Sequence, residues 1–85
     1  MAKQFRLQVF TQEKKVLDEL VTSLVAPGID GYFGVLADHA PLISALGKGN
    51  LTIRGNEGSR DVGITGGFIE VVNNTTTILA DSLSV

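Results

Sequence analysis

Eighty-five residues, 44% of them hydrophobic and 19% charged, make one domain at most and are too apolar for a disordered tail. The absence of cysteine removes disulfides and thiolate metal sites, and a net charge of −2, with seven lysines and arginines scattered among nine acids, offers no basic face to phosphates, so nucleic acid is not an expected partner. No apolar run approaches the ~20 residues that span a bilayer, and the polar start MAKQFRLQVF lacks the apolar region of a signal peptide, so a soluble, unexported protein without lipid insertion is expected.

From Phe5 the chain alternates, with Phe5, Leu7 and Val9 on one side and Arg6 and Gln8 on the other, the period of a half-buried strand. TQEK interrupts it. Val16 to Ala26 is rich in β-branched and apolar residues, and Asp18 and Glu19 within it point to two short strands in succession, closed by Pro27 and Gly28. Gly31 to Gly49 holds the only histidine, the only tyrosine and four of the ten glycines. It reads as a rigid, exposed surface loop in which Pro41 fixes φ and biases Ala40 toward an extended conformation. Within it APLISALG fits both helical and strand periods, with the extended form favoured.

NLTIRG and RDVGIT, joined across GNEGSR, read as a hairpin with Leu51, Ile53, Val62 and Ile64 on one face. Phe68 to Val72 and Thr75 to Ala80 repeat that pattern about Asn73 and Asn74, residues that tolerate positive φ; their N-x-T sequons are read as turn residues. Turn signals recurring every 8 to 12 residues or so predict an all-β fold, a sandwich or small barrel of short strands, spanning residues 1–85 as a single domain.

The chemistry-bearing residues are few. One imidazole, His39, cannot build a zinc site, and its neighbour Asp38 would point to the opposite face of an extended segment. Neither phosphate-loop spacing occurs, so GKG is a turn, and Gly66 with Gly67 reads as a bulge or a close backbone approach. Asp18 with Glu19, and Glu57 with Asp61, read as parts of solvated faces. Phe5 and Phe68 occupy core-like positions, while Phe10, Tyr32 and Phe33 are the aromatics expected outside. No enzyme, cofactor or metal is expected. A rigid loop that carries Tyr, Phe, Leu, Asp and His has the mixed character of a protein-contact surface.

DGYFGVLADHAPLISALGKGNLTI and GGFIEVVNNTTTILAD, with FRLQVFTQEKKVLDELVTSLVAPG before them, resemble the signatures of the epsilon subunit of F-type ATP synthase over nearly the whole chain. The resemblance implies a flattened two-sheet β-sandwich of mostly antiparallel strands, acting as a non-catalytic part of the central stalk. It implies contact with the gamma subunit and the c-ring, indirect contact with the F1 alpha3beta3 assembly, and a peripheral position on the cytoplasmic face of a bacterial inner membrane. The ring contact would fall on a loop at the bottom of the sandwich carried by Asp30, Gly31, Tyr32, Asp38, His39, Ala40 and Pro41. The family often has an acid where this chain has Tyr32, and a proline-glycine or proline-asparagine pair where it has Ala37 and Asp38. Most bacterial members continue into a C-terminal helical hairpin, whereas this sequence stops at SLSV, so the helical brake on ATP hydrolysis and the ATP binding that use that hairpin are not expected. The rival reading is a stand-alone β-sandwich binding carbohydrate or peptide, which would need a groove lined by several aromatics.

Overall fold

A computed structural model describes residues 2–84. Ten strands follow one another: β1 (Phe5–Phe10), β2 (Lys15–Val21), β3 (Ser23–Gly28), β4 (Gly31–Leu36), β5 (Leu42–Leu46), β6 (Gly49–Gly55), β7 (Gly58–Ile64), β8 (Gly67–Val72), β9 (Thr75–Ala80) and β10 (Leu83–Ser84). The described residues contain no helix, as the pattern of turns predicts.

Pairing runs continuously in the order β10-β7-β6-β3-β5-β8-β9-β1-β2, with β4 on the other margin of β3. The link between β3 and β5 is a single residue pair, Gly28 with Leu46. A ladder pinched to one pair cannot hold two strands coplanar, so the sheet folds there into two layers, β10-β7-β6-β3-β4 and β5-β8-β9-β1-β2. On the other side of the molecule β2 crosses to β3 at Thr22, whose amide and hydroxyl both donate to the Arg54 carbonyl, at 2.7 and 3.1 Å. All pairings are antiparallel except that of β1 with β9.

The alternation read from the sequence decides which side chains fill the space between the layers. Phe5, Leu7, Val9, Ile69, Val71, Ile78 and Ala80 come from one sheet and Leu24, Ala26, Val35, Leu51, Ile53, Val62 and Ile64 from the other, all buried. Burying a side chain of this size contributes about 1.5–3 kcal/mol, which makes this layer the dominant source of stability in a chain without disulfides. One polar residue joins it: Thr76 is fully buried between Leu7 and Val71 on the flanking strands, and its hydroxyl has no partner.

The turns are of the expected kinds. Asn73 and Asn74, with φ of 51° and 58°, make the two-residue turn that suits the twist of the β8–β9 hairpin. Gly67 is needed for a different reason: at φ of 141° a Cβ there would lie 2.1 Å from the Leu79 carbonyl oxygen, so the two strands approach as closely as a bare backbone allows. This is the close approach foreseen at the glycine pair.

Three expectations are corrected, the first at Phe33, which was expected outside but turns inward from β4 and packs against the core. Gly31–Gly49 is not one surface loop but β4, a five-residue turn region (37–41), and β5, so APLISALG is extended where it was favoured to be. Phe68 is not in the core. It points outward from β8 at 59% exposure, because Ile69 and Val71 take the inward positions on that strand.

Candidate functional site

The residues singled out from the sequence divide into two groups. Asp30, Gly31 and Tyr32 lie at the β3–β4 turn. Asp38, His39, Ala40 and Pro41 follow the far end of β4, roughly 20 Å away at the ~3.3 Å rise of a strand residue. The bottom loop expected to carry all seven is therefore two turns joined by a strand. Since β4 pairs with β3 alone, both turns and the strand between them line one free margin of the sandwich.

Each turn is held from within the fold. At the first, the Tyr32 hydroxyl accepts from the Asn50 amide at 3.3 Å, and Gly49 makes room for it, since a Cβ there would sit 2.5 Å from that oxygen. The Tyr32 ring itself is 61% exposed. At the second, Asp38 adopts φ of 62° and the His39 amide donates to the Leu36 carbonyl at 3.2 Å, closing a turn. The Asp38 amide donates to Asn74 Oδ1 at 2.7 Å, Asn74 Nδ2 donates to the Gln4 carbonyl at 3.0 Å, and Lys3 pairs with the Asp38 carboxylate. His39 donates from Nδ1 to the Ala40 carbonyl at 2.7 Å, which assigns the proton to that nitrogen. Lys3 and Asn74, distant in sequence, thus fix the His39 turn; neither was legible as a site residue.

A second surface went unread in the sequence. On the outer side of the sheet β5-β8-β9-β1, the register sets Ala45 beside Phe68, Phe68 beside Leu79 and Leu79 beside Phe10. Ile43 flanks this row at 75% exposure, and Leu79 is 49% exposed. Its signal was present: GFIEVV places apolar residues on both faces of the strand, the pattern of a strand covered on both sides. Beside the row, Asp18 receives Arg6 through two nitrogens at 2.9 and 2.8 Å and Lys15 at 2.7 Å. These hydrogen bonds, Arg6 first and then Lys15, hold its carboxyl well below the usual carboxylate range.

Among the described residues no group of three His, Asp or Glu side chains could hold a metal ion. Two surface grooves stand out among the described residues: one of about 420 Å³ opens between β2 and the β6–β7–β10 margin, lined by Leu17, Leu51 and Val62 and spanned by the Arg60–Glu19 pair, and the other lies beside the Asn56–Glu57 turn. Neither is lined by an aromatic residue.

Comparison with known proteins agrees with this architecture. The chain is 44% identical over 81 residues to the ATP synthase epsilon chain of Maridesulfovibrio salexigens, covering 95% of this chain and 57% of that one. It is 45% identical over 80 residues to that of Leptospira borgpetersenii, covering 94% and 63%. It therefore spans less than two thirds of these curated relatives. Among solved structures, a chain of the Euglena gracilis mitochondrial ATP synthase, resolved with OSCP, F1 and c-ring, superposes with a TM-score of 0.90 at 26% identity, over 95% of this chain and 52% of that chain. A chain of the Tetrahymena thermophila mitochondrial ATP synthase central stalk and c-ring shares the fold, with a TM-score of 0.82 at 21% identity, over 98% and 67%. Residues 4–84 match the ATP synthase, Delta/Epsilon chain, beta-sandwich domain, and the chain belongs to that family.

Proposed function

We propose that this chain is a central-stalk subunit of an F-type ATP synthase, itself non-catalytic, which links the gamma subunit to the c-ring so that ion translocation and ATP synthesis stay coupled. The observation that carries the proposal is the outward apolar row Ala45, Phe68, Leu79 and Phe10, flanked by Ile43. A monomer in water gains nothing from such a row, and apolar side chains gathered on one outer face suit the apolar centre of a protein interface. This row is the gamma-facing surface. The β4 margin is the ring-facing one: Asp30, Gly31 and Tyr32 at one end and Asp38, His39, Ala40 and Pro41 at the other touch one flat partner when the sandwich lies along that margin. The contact is polar, and the protein sits peripherally on the cytoplasmic face of the membrane.

Torque transfer requires a coupler that deforms less than its contacts slip. Two layers sharing one close-packed core suit that task. Replacing Tyr32 and His39 together by alanine should lower ATP-driven proton pumping by the reassembled complex while gamma binding persists; unchanged pumping and assembly would refute the ring assignment. Loss of gamma binding on Phe68→Asp tests the other surface. The rival reading, a carbohydrate or peptide module, has little support, since neither of the two grooves described is lined by an aromatic residue.

A further inference from the structure

We infer that β4 is a self-pairing edge, through which two free copies of this chain join as an antiparallel dimer centred on Phe33. Sheet margins expose unpaired backbone groups, and folded proteins usually guard them with charge, bulges or brevity. Three of the four margins here are guarded. β2 carries Lys15, Asp18 and an inward-pointing Glu19, and its ladder with β1 is bulged at Val9 and Phe10. Among the described residues β10 spans only Leu83–Ser84. The margin of β5 is occupied at its end, where the Ala45 carbonyl accepts from Ile29 and the Gly47 amide donates to Pro27. β4, reading GYFGVL, has no charge, no proline and no bulge.

The pattern of free groups fixes the register. Because the Pro27 carbonyl accepts from Gly47, Pro27 faces away from β4, and alternation then turns Leu24, Ala26 and Gly28 toward it. Their partners Val35, Phe33 and Gly31 have their backbone groups satisfied by β3. The amides and carbonyls of Tyr32 and Gly34 face outward, unpaired, while the Leu36 carbonyl is already taken by His39. A second β4 with Phe33 opposite Phe33 sets Tyr32 opposite Gly34 twice over, and each such pair exchanges two hydrogen bonds. Shifting the centre to Gly34 would instead oppose Asp30 to Asp38 and require the Leu36 carbonyl. The self-complementary register is thus the uncharged one.

So short a seam makes a weak dimer, with a dissociation constant on the order of 10–100 µM. It occupies the margin assigned above to the ring, so dimer and assembled subunit exclude each other, but the inference does not depend on that assignment. The test is sedimentation of this chain alone from about 1 to about 500 µM. The weight-average mass should climb from 9.0 kDa toward twice that value. Gly34→Lys, where a Cβ would meet only the Leu24 carbonyl oxygen at 3.8 Å, should keep its thermal melt and remain monomeric. Since the chain has no cysteine, Phe33→Cys should form a disulfide-linked dimer on mild oxidation and Ile43→Cys, on the outer side of the other sheet, should not. A wild-type mass fixed at 9.0 kDa, a Gly34→Lys variant that still dimerises, or equal cross-linking at the two cysteines would overturn the inference. None of these outcomes bears on gamma binding, which judges the stalk reading separately.

Discussion

On its outer side one sheet carries Ala45, Phe68, Leu79 and Phe10 in a row, while the β6–β7 part of the other carries Thr52, hydrogen-bonded to Asp61 at 2.8 Å, with Asn50, Arg54 and Ser59 around it. Both faces are built from strands of the same length and twist, and both cover the same core. The difference therefore cannot come from folding, which asks only that the inner faces be apolar. On the proposed stalk role, it reflects what each outer face meets: water in one case, a protein surface in the other.

Adjacent residues of β8 offer the sharpest way to break this contrast. Ile69→Ala, on the buried side, should cost about 2–5 kcal/mol in urea unfolding, whereas Phe68→Ala should stay within about 0.5 kcal/mol. Equal losses at both would mean that Phe68 is structural. Phe68→Asp should then weaken gamma binding by about 2–4 kcal/mol in titration calorimetry, and Arg54→Ala on the polar face should leave it unchanged. Gly67→Ala, which puts a Cβ against the Leu79 carbonyl oxygen, should cost roughly 1–3 kcal/mol and perturb both faces of β8 together. Thr76→Val replaces an unpartnered buried hydroxyl by a methyl group and should raise stability by about 1 kcal/mol.

The smallest effect concerns the polar border of the apolar face. The Asp18 carboxyl is held below its unfolded value of about 3.9, so what it contributes is fully present above that range and is lost as pH falls through the folded pKa. Asp18→Asn should lower stability slightly at neutral pH, where the contribution is fully present, and converge on the wild type as pH falls below about 4, flattening the acid limb of the stability profile.

What could be read in advance followed from local rules. The alternation of Phe5, Leu7 and Val9, the two hairpins and the Asn73–Asn74 turn each depend on neighbouring residues alone, and each is present. β4 escaped because Tyr32 and Leu36 point outward while Phe33 and Val35 point inward, so four apolar side chains and Gly34 leave no period to detect. Phe68 misled for a related reason, since alternation tells which residues share a face but not which face is covered by whom. The anchoring of the His39 turn by Lys3 and Asn74 rests on contacts between distant segments, and no spacing in the sequence announces them.

The parallel seam between β1 and β9 has a consequence for how the chain is made. Arg6 aligns with Thr75, so the first strand waits for one of its two neighbours until most of the chain has left the ribosome, roughly 4–15 s at 5–20 residues per second. During that interval Leu7 and Val9 have only β2 to shelter them. Nascent chains of this fold therefore pass through a stage with an uncapped greasy ribbon at the front, when trigger-type chaperones have the most to hold.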